Sequence, residues 1–313
     1  MSLEKIWKFY QESSSTELPL HLAENGEDYC YLAILFYAQE DYYQASKAAQ
    51  EAAACSPQRV LFKEMAKAIA KVRQDGKHSV YSSTDGFERF IRGGGNLPLY
   101  EAVSRVLHQC YSQYTSLRLL DVGSGDGRAL LPAWHSAIRE LTVVEPSIPL
   151  LAVLESTLNE RHVTYQAFRG RLQEFVLEHD GKWDLAQATF SFQSIPPQER
   201  MELFRWLRSH TDRFLLVEFN VEPAPYGLDP QRVWANLERF ERGIAEYPND
   251  EVVIQGFLLP VMMGFFDQSS ARTNYEQPIQ MWIKQLRAAG FQQIENVTLY
   301  PYWWADAHFI DAV

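Results

Sequence analysis

Cysteine is scarce in this 313-residue chain: Cys30, Cys55 and Cys110 make an odd number, without the paired spacing of a zinc site. That excludes a disulfide framework as the source of stability and leaves three thiols expected to be buried, in a reducing compartment. Positive charge is in deficit as well. Lys and Arg number 29 against 40 Asp and Glu, a net charge of −11, and a chain of that sign repels a phosphate backbone. Nucleic acid is therefore not the expected partner, and a small molecule is. No apolar run approaches the length of a membrane span, and Met1-Ser2-Leu3-Glu4-Lys5 lacks the basic flank and apolar core of a signal peptide. The expected location is the cytoplasm. His, Cys, Asp and Glu nowhere show metal-ligand spacing, so no metal is expected.

What is present is a glycine-rich stretch around which the rest is organised, Leu119-Leu120-Asp121-Val122-Gly123-Ser124-Gly125-Asp126-Gly127. The run from Leu117 to Val122 reads as a short buried parallel strand, the glycines as a tight turn, and Ala129-Leu130-Leu131 as the first turn of a helix. Strand, glycine turn and helix N-terminus together form a site for a nucleotide-like ligand. The spacing is G-x-G-x-G, whereas the dinucleotide fingerprint is G-x-G-x-x-G. Asp121 at the strand end would repel a pyrophosphate and suit a ligand that bears an ammonium and a sulfonium. A nicotinamide oxidoreductase is disfavoured on both counts. A second apolar strand, Leu141 to Val144, ends in Glu145, where an acid can accept both hydroxyls of a ribose. Val163 to Phe168, Asp184 to Phe190 and Phe214 to Phe219 follow as further strands. A helix from Pro278 to Ala289, a stop at Gly290 and two strands, Gln292 to Leu299 and Trp304 to Ala312, close the chain.

The pattern hydrophobic-Asp-x-Gly-x-Gly-x-Gly is complete here, and it resembles motif I of the class I S-adenosylmethionine (SAM)-dependent methyltransferases. The order of strands and helices over roughly residues 80 to 313 is similar to theirs. The resemblance implies their α/β fold, a Rossmann-like seven-stranded sheet with an antiparallel last strand, here behind an all-helical N-terminal subdomain. It implies SAM as cofactor and S-adenosylhomocysteine (SAH) as product. Cofactor contacts are implied for Asp121, Gly123, Ser124, Gly125 and Gly127, for Glu145 at the ribose, for Pro146 beside the adenine, and for Thr189 and Phe190 in motif IV. Many members carry an Asp after the glycine that follows strand three. This chain has Arg171 there, which leaves backbone around Leu172, or Gln173, for the adenine. The segment before motif I folds over the cofactor in that family. Tyr81 lies in it on the substrate side, and Arg92 is either a guanidinium for the cofactor carboxylate or a solvent-facing hinge residue.

For catalysis, relatives often place a histidine after strand four, where this chain has Gln193, able to orient a hydroxyl but not to deprotonate it. Glu218, at the end of strand five, is the first candidate base; its alternative role is to cap backbone amides. The layout is similar to that of natural-product tailoring O-methyltransferases of the microcystin-biosynthesis type. That implies O-methylation of a small, largely apolar acceptor of polyketide or nonribosomal-peptide kind. The alternative is a tetratricopeptide-repeat (TPR)-like adaptor or scaffold with a non-catalytic methyltransferase fold.

Residues 1–78 read as the helical subdomain. Glu27 to Pro57 resembles one TPR repeat with Glu40 at the usual turn glycine. Arg59, Lys63, Lys67 and Lys71 form a stripe on the next helix, either a solvated face or a dock for an acidic carrier or partner protein. Residues 79–313 read as the methyltransferase domain, with a lid-like insertion at about 220–277. Its greasy stretch, ending in Phe265 and Phe266, is either a wall for a bulky apolar substrate or plain core. The turn from Tyr300 to Trp304 should overhang the strand ends. Tyr302, Trp303 and Trp304 there would bind an apolar substrate or seal the sheet.

Overall fold

The computed structural model describes residues 2–12, 20–76, 84–222, 227–267 and 273–313. The N-terminal part is helical: α1 (Ser2–Glu12), α2 (Gly26–Ala38), α3 (Tyr42–Cys55), α4 (Val60–Asp75), α5 (Thr84–Ile91) and α6 (Asn96–Tyr111). Local capping fixes two of the starts, since Asn25 accepts the amides of Glu27 and Asp28, and Asp41 accepts that of Gln44. The α2–α3 turn places Glu40 at φ +63°, a left-handed conformation in which a side chain crowds the backbone. Glu40→Gly is therefore expected to raise stability by about 0.5–1 kcal/mol in urea unfolding. A loss instead would mean that the glutamate side chain contributes more than the strain costs. Cys55 ends α3 beyond its packed alanines and is exposed, unlike Cys30 and Cys110, so the expectation of three buried thiols fails at that position.

Strands and helices then alternate: β1 (Leu117–Val122), β2 (Ile138–Val144), α7 (Ile148–Glu160), β3 (Tyr165–Phe168), α8 (Leu172–Glu178), β4 (Trp183–Thr189), α9 (Pro197–His210) and β5 (Thr211–Phe219). After α10 (Pro230–Ala245), one helical stretch joins α11 (Glu251–Val253), a π turn (Ile254–Leu258) and α12 (Leu259–Gly264). The chain closes with α13 (Ile279–Ala289), β6 (Ile294–Pro301) and β7 (Asp306–Ala312). Gly290 ends α13 at φ +108°, where glycine costs least.

All seven strands form one sheet in the order β3-β2-β1-β4-β5-β7-β6. β1 to β5 run parallel, and β7 is antiparallel to both β5 and β6. This is the Rossmann-like α/β sheet with an antiparallel last strand. The central strands read as nearly continuous apolar runs because helices cover both faces. Phe175, Phe204, Phe214 and Trp282 fill one face, and Val103, Leu107, Leu154 and Leu185 fill the other. The helix expected after the glycine turn does not develop. Leu131 N–H donates to the Gly127 carbonyl at 2.8 Å, but Pro132 has no N–H to extend the ladder, and residues 128–133 are turns.

The chain divides into two compact units, Met1–Leu97 with Ala224–Ala271, and Pro98–Pro223 with Arg272–Val313. This differs from the division at residue 78 read from the sequence, because most of the 220–277 insertion belongs with the helices and not with the sheet. Specific bonds hold it there. Arg59 binds both oxygens of Glu241, at 2.8 and 2.7 Å, and lies over Phe62 and Trp234. Lys67 pairs with Glu64 and Glu251, Gln255 donates to Glu64, and Tyr31 donates to the Leu228 carbonyl at 2.6 Å. Two members of the basic stripe thus have carboxylates inside their own unit, while Lys63 and Lys71 stay exposed.

The greasy stretch is mostly packed helix. Leu258, Leu259, Met262, Met263 and Phe266 are buried, and Phe265 meets Phe240. Phe266 is therefore core and not the wall of an open cavity. The triplet Gly93-Gly94-Gly95 serves packing too. A Cβ on Gly94 would come 2.7 Å from the Tyr247 ring, and Tyr247 donates to the Phe90 carbonyl at 2.6 Å.

Candidate functional site

In the second unit, chain order reverses between β1 and β4, and ligands of open α/β sheets bind at the carboxyl ends of strands at such a point. Asp121 lies at that end of β1, buried. Gln187 of β4 donates to its carboxylate at 2.9 Å, and Tyr111 of α6 donates to Gln187 in turn. Burial pushes Asp121 up to about 6, against the pull of the Gln187 and Ser124 hydrogen bonds. Beyond it Gly123, Gly125 and Gly127 stand at φ +70°, +55° and +81°. At Gly123 a Cβ would lie 2.3 Å from that of Ser191, and at Gly127 it would strike Leu131 and Leu154. At Gly125 it would meet nothing within 4 Å, so this face of the turn is open to a ligand.

Glu145 faces the same turn. Its carboxylate accepts the Gly125 amide at 2.8 Å through one oxygen and the Ser147 amide at 2.8 Å through the other. Pro146, Ile148 and Leu150, which follow it, leave an exposed apolar shelf, with Ile148 68% exposed. Arg128 is bound to Asp126 at 2.7 Å, which cancels its charge beside the turn. Arg171 caps α8 with its side chain in solvent, and its N–H donates to Glu174. Leu172 is buried, and Gln173 donates to Glu199.

At the end of β4, Thr189 carries a buried hydroxyl without a hydrogen bond, and Phe190 sits at φ +51°. A non-glycine residue in that region is strained and needs its surroundings to hold it. The surroundings do. Phe190 N–H donates to the Val217 carbonyl at 2.9 Å, Gln193 Nε2 donates to the Phe190 carbonyl at 3.1 Å, and Ser191 Oγ donates to the Val122 carbonyl at 2.9 Å. The Gln193 side-chain nitrogen is therefore occupied within its own turn, while its Oε1 is buried without a hydrogen bond. Its backbone N–H donates to Glu218 Oε1 at 3.1 Å, and Tyr275 N–H donates to its carbonyl at 2.7 Å.

Glu218 is 1% exposed on β5, and burial pushes it up to about 8, against the Gln193 amide and the Arg200 charge that pull it down. His308, opposite it on β7, is lowered by burial and bonds Asn296 at 3.0 Å. Rings line this edge. Phe190 stacks on Phe219 at 4.4 Å, Phe219 on Tyr302 at 5.4 Å, and Trp303 follows at 5.4 Å. Trp304 is buried, and its Nε1 donates to Glu276 at 2.8 Å.

The second unit thus brings together Asp121, Gly123, Ser124, Gly125, Gly127, Glu145 and Pro146 around one turn. Thr189, Phe190, Gln193, Glu218, Tyr302 and Trp303 gather around a second. Arg92, Phe265 and Phe266 belong to the other unit, where Arg92 is exposed beside a cleft with Arg89, Glu88 and Asp250. Tyr81 lies outside the described residues. Ser191, Arg200 and Tyr275 were missed by sequence reasoning. Only Arg200 left a mark there, as the one charge in the apolar i, i+3, i+4, i+7 set with Leu203, Phe204 and Leu207 on α9. Among the described residues, no group of three or more His, Cys, Asp or Glu could hold a metal, and no helix is long and apolar enough to cross a membrane.

No protein-family model and no curated protein matches the chain. Solved structures do. The methyltransferase domain of the citrinin polyketide synthase aligns over 86% of this chain and 69% of its own, at 14% identity and a TM-score of 0.51. The fold is the one they share. Magnesium protoporphyrin IX methyltransferase from Synechocystis PCC 6803, solved with bound SAM, covers 74% of this chain and 93% of its own at 15% identity and a TM-score of 0.47. The N1-methyltransferase of 1,6-didemethyltoxoflavin from Burkholderia thailandensis covers 79% and 88% at 17% identity and 0.47.

Proposed function

We propose that this protein is a SAM-dependent methyltransferase acting on a small, largely apolar acceptor, with a hydroxyl as the group methylated and polyketide or nonribosomal-peptide tailoring as the setting. The observation that carries it is the Glu145 carboxylate held at 2.8 Å from the Gly125 amide, across a left-handed glycine turn with one open face.

The residues present fit the cofactor. Glu145 is the acceptor for ribose hydroxyls. Pro146, Ile148 and Leu150 give an apolar shelf for adenine, and backbone around Leu172 is its edge. Asp121 and Glu145 together make a field that attracts an ammonium and a sulfonium and repels phosphates. SAM, when bound, supplies a methyl group activated by its positive sulfur. The protein's own part in such a displacement is alignment and exclusion of water. Phe190 and Trp303 offer apolar faces for the acceptor at the strand ends, backed by the buried rings of Phe219 and Tyr302. Lys63 and Lys71, with Arg59 and Lys67 already paired, are what remains of a dock for an acidic carrier protein.

Titration with SAH tests the reading. Wild type is expected to bind in the micromolar range. Glu145→Ala should bind about 10–100-fold more weakly, since charge-assisted hydrogen bonds contribute about 1.5–3 kcal/mol. Asp121→Ala should weaken binding in the same direction. A folded wild-type protein that binds no SAH would end the proposal in favour of the adaptor reading.

A further inference from the structure

We propose that Glu218 serves methyl transfer as a positioning residue: it anchors the turn Phe190–Ser194 through backbone amides and does not take the acceptor's proton. The inference rests on the methyltransferase reading and assigns one carboxyl group within it. Glu218 Oε1 accepts the Gln193 N–H at 3.1 Å, and the neighbouring Phe192 amide favours its ionised form as well. Its second oxygen is buried and makes no hydrogen bond. A general base needs an ionised oxygen within reach of the substrate's proton. Here one oxygen is committed to the Gln193 amide and the other is sealed. What that amide belongs to explains the commitment, because its turn carries Phe190 in its strained conformation.

Charged or titratable groups lie near Glu218 on three elements. Arg200 on α9 favours its ionised form, Glu276 on the 273–278 segment disfavours it, and His308 stands opposite on β7. The same segment is tied back to the turn, through Tyr275 N–H to the Gln193 carbonyl and Arg200 to the Tyr275 carbonyl. Burial leaves the carboxyl neutral up to about 8. A neutral carboxyl keeps its carbonyl oxygen for the Gln193 amide, with the proton on the other oxygen. Glutamine can reproduce that arrangement, and alanine cannot.

Wild type, Glu218→Gln and Glu218→Ala of the full chain decide the matter. The backbone amide resonances of Phe192 and Gln193 should titrate together in wild type with a midpoint near 8 and be flat in Glu218→Gln. Amide exchange at residues 190–194 should be at least about tenfold faster in Glu218→Ala and near wild type in Glu218→Gln. The unfolded chain ionises Glu218 near 4.5 and the folded one near 8. Stability from this group is therefore complete below 4.5 and lost as pH rises through 8. Glu218→Gln escapes that loss, so its thermal midpoint should gain on wild type steadily from pH 5 to pH 8. Amides that do not titrate near 8, or exchange in Glu218→Ala equal to wild type, would overturn the proposal. Loss of methyl transfer to a phenol panel in Glu218→Gln, with exchange intact, would return the role of base to Glu218. Failure of wild type to bind SAH would sink the methyltransferase reading alone and leave the amide results to judge the anchor.

Discussion

Arg200→Ala is expected to destabilise the protein by about 3–5 kcal/mol, the range for breaking a buried charged network by removing one member. Arg200 is fully buried on α9. Its Nε donates to the Ile195 carbonyl at 2.8 Å and its Nη2 to the Tyr275 carbonyl at 2.5 Å, while the guanidinium lies 4.2 Å over Trp282. Truncation strands both carbonyls, each costing about 1–3 kcal/mol when buried without a donor. It also opens a cavity beside Trp282 and removes the positive charge that favours ionised Glu218. Arg200→Lys should recover less than half of the loss, because an ammonium keeps the charge but lacks the planar fork that reaches two carbonyls and stacks on indole. Urea unfolding followed by tryptophan fluorescence measures both. A loss under about 1 kcal/mol for alanine would show that solvent reaches the site easily enough to replace the guanidinium.

The sheet was legible because its strands are buried on both faces. Leu117 to Val122 and Phe214 to Phe219 are apolar without alternation apart from Arg118, Asp121 and Glu218, the pattern of a covered parallel strand. The glycine turn was legible for a similar reason, as positive φ at three alternate positions demands residues without Cβ. What the sequence hid depended on distant partners. The Gly93-Gly94-Gly95 triplet seats Glu246 and Tyr247, 151 to 154 positions along the chain from it. The stretch ending in Phe266 had the composition of an adaptable wall, but the same composition fills a core, and the bonds of Arg59 to Glu241 and Lys67 to Glu251 put it in one. The helix after Gly127 failed on a local feature, Pro132, that the apolar pattern Ala129-Leu130-Leu131 outweighed in reading. Gln193 and Glu218 were found by position at the ends of strands four and five, and that they bond each other needed coordinates.

The glycine turn offers the sharpest separation of folding from binding. Gly125→Ala is expected to cost about 1–2 kcal/mol of stability, the strain of a side chain at φ +55°, since its Cβ would meet nothing within 4 Å. Its SAH affinity should nevertheless fall at least about tenfold, because the new methyl occupies the open face beside the amide that Glu145 holds. Gly123→Ala should do the reverse in proportion. There the strain at φ +70° adds to a Cβ placed 2.3 Å from that of Ser191, and Ser191 cannot move without giving up its bond to the Val122 carbonyl. The expected cost is about 3 kcal/mol or more. Ser191→Gly added to Gly123→Ala removes the colliding atom. The pair should therefore be more stable than the sum of its single changes by about 1–2 kcal/mol, a coupling that a double-mutant cycle reads directly. Additive losses would place the cost of Gly123→Ala in backbone strain alone. Retention of SAH affinity in Gly125→Ala would place bound SAH away from the open face of this turn.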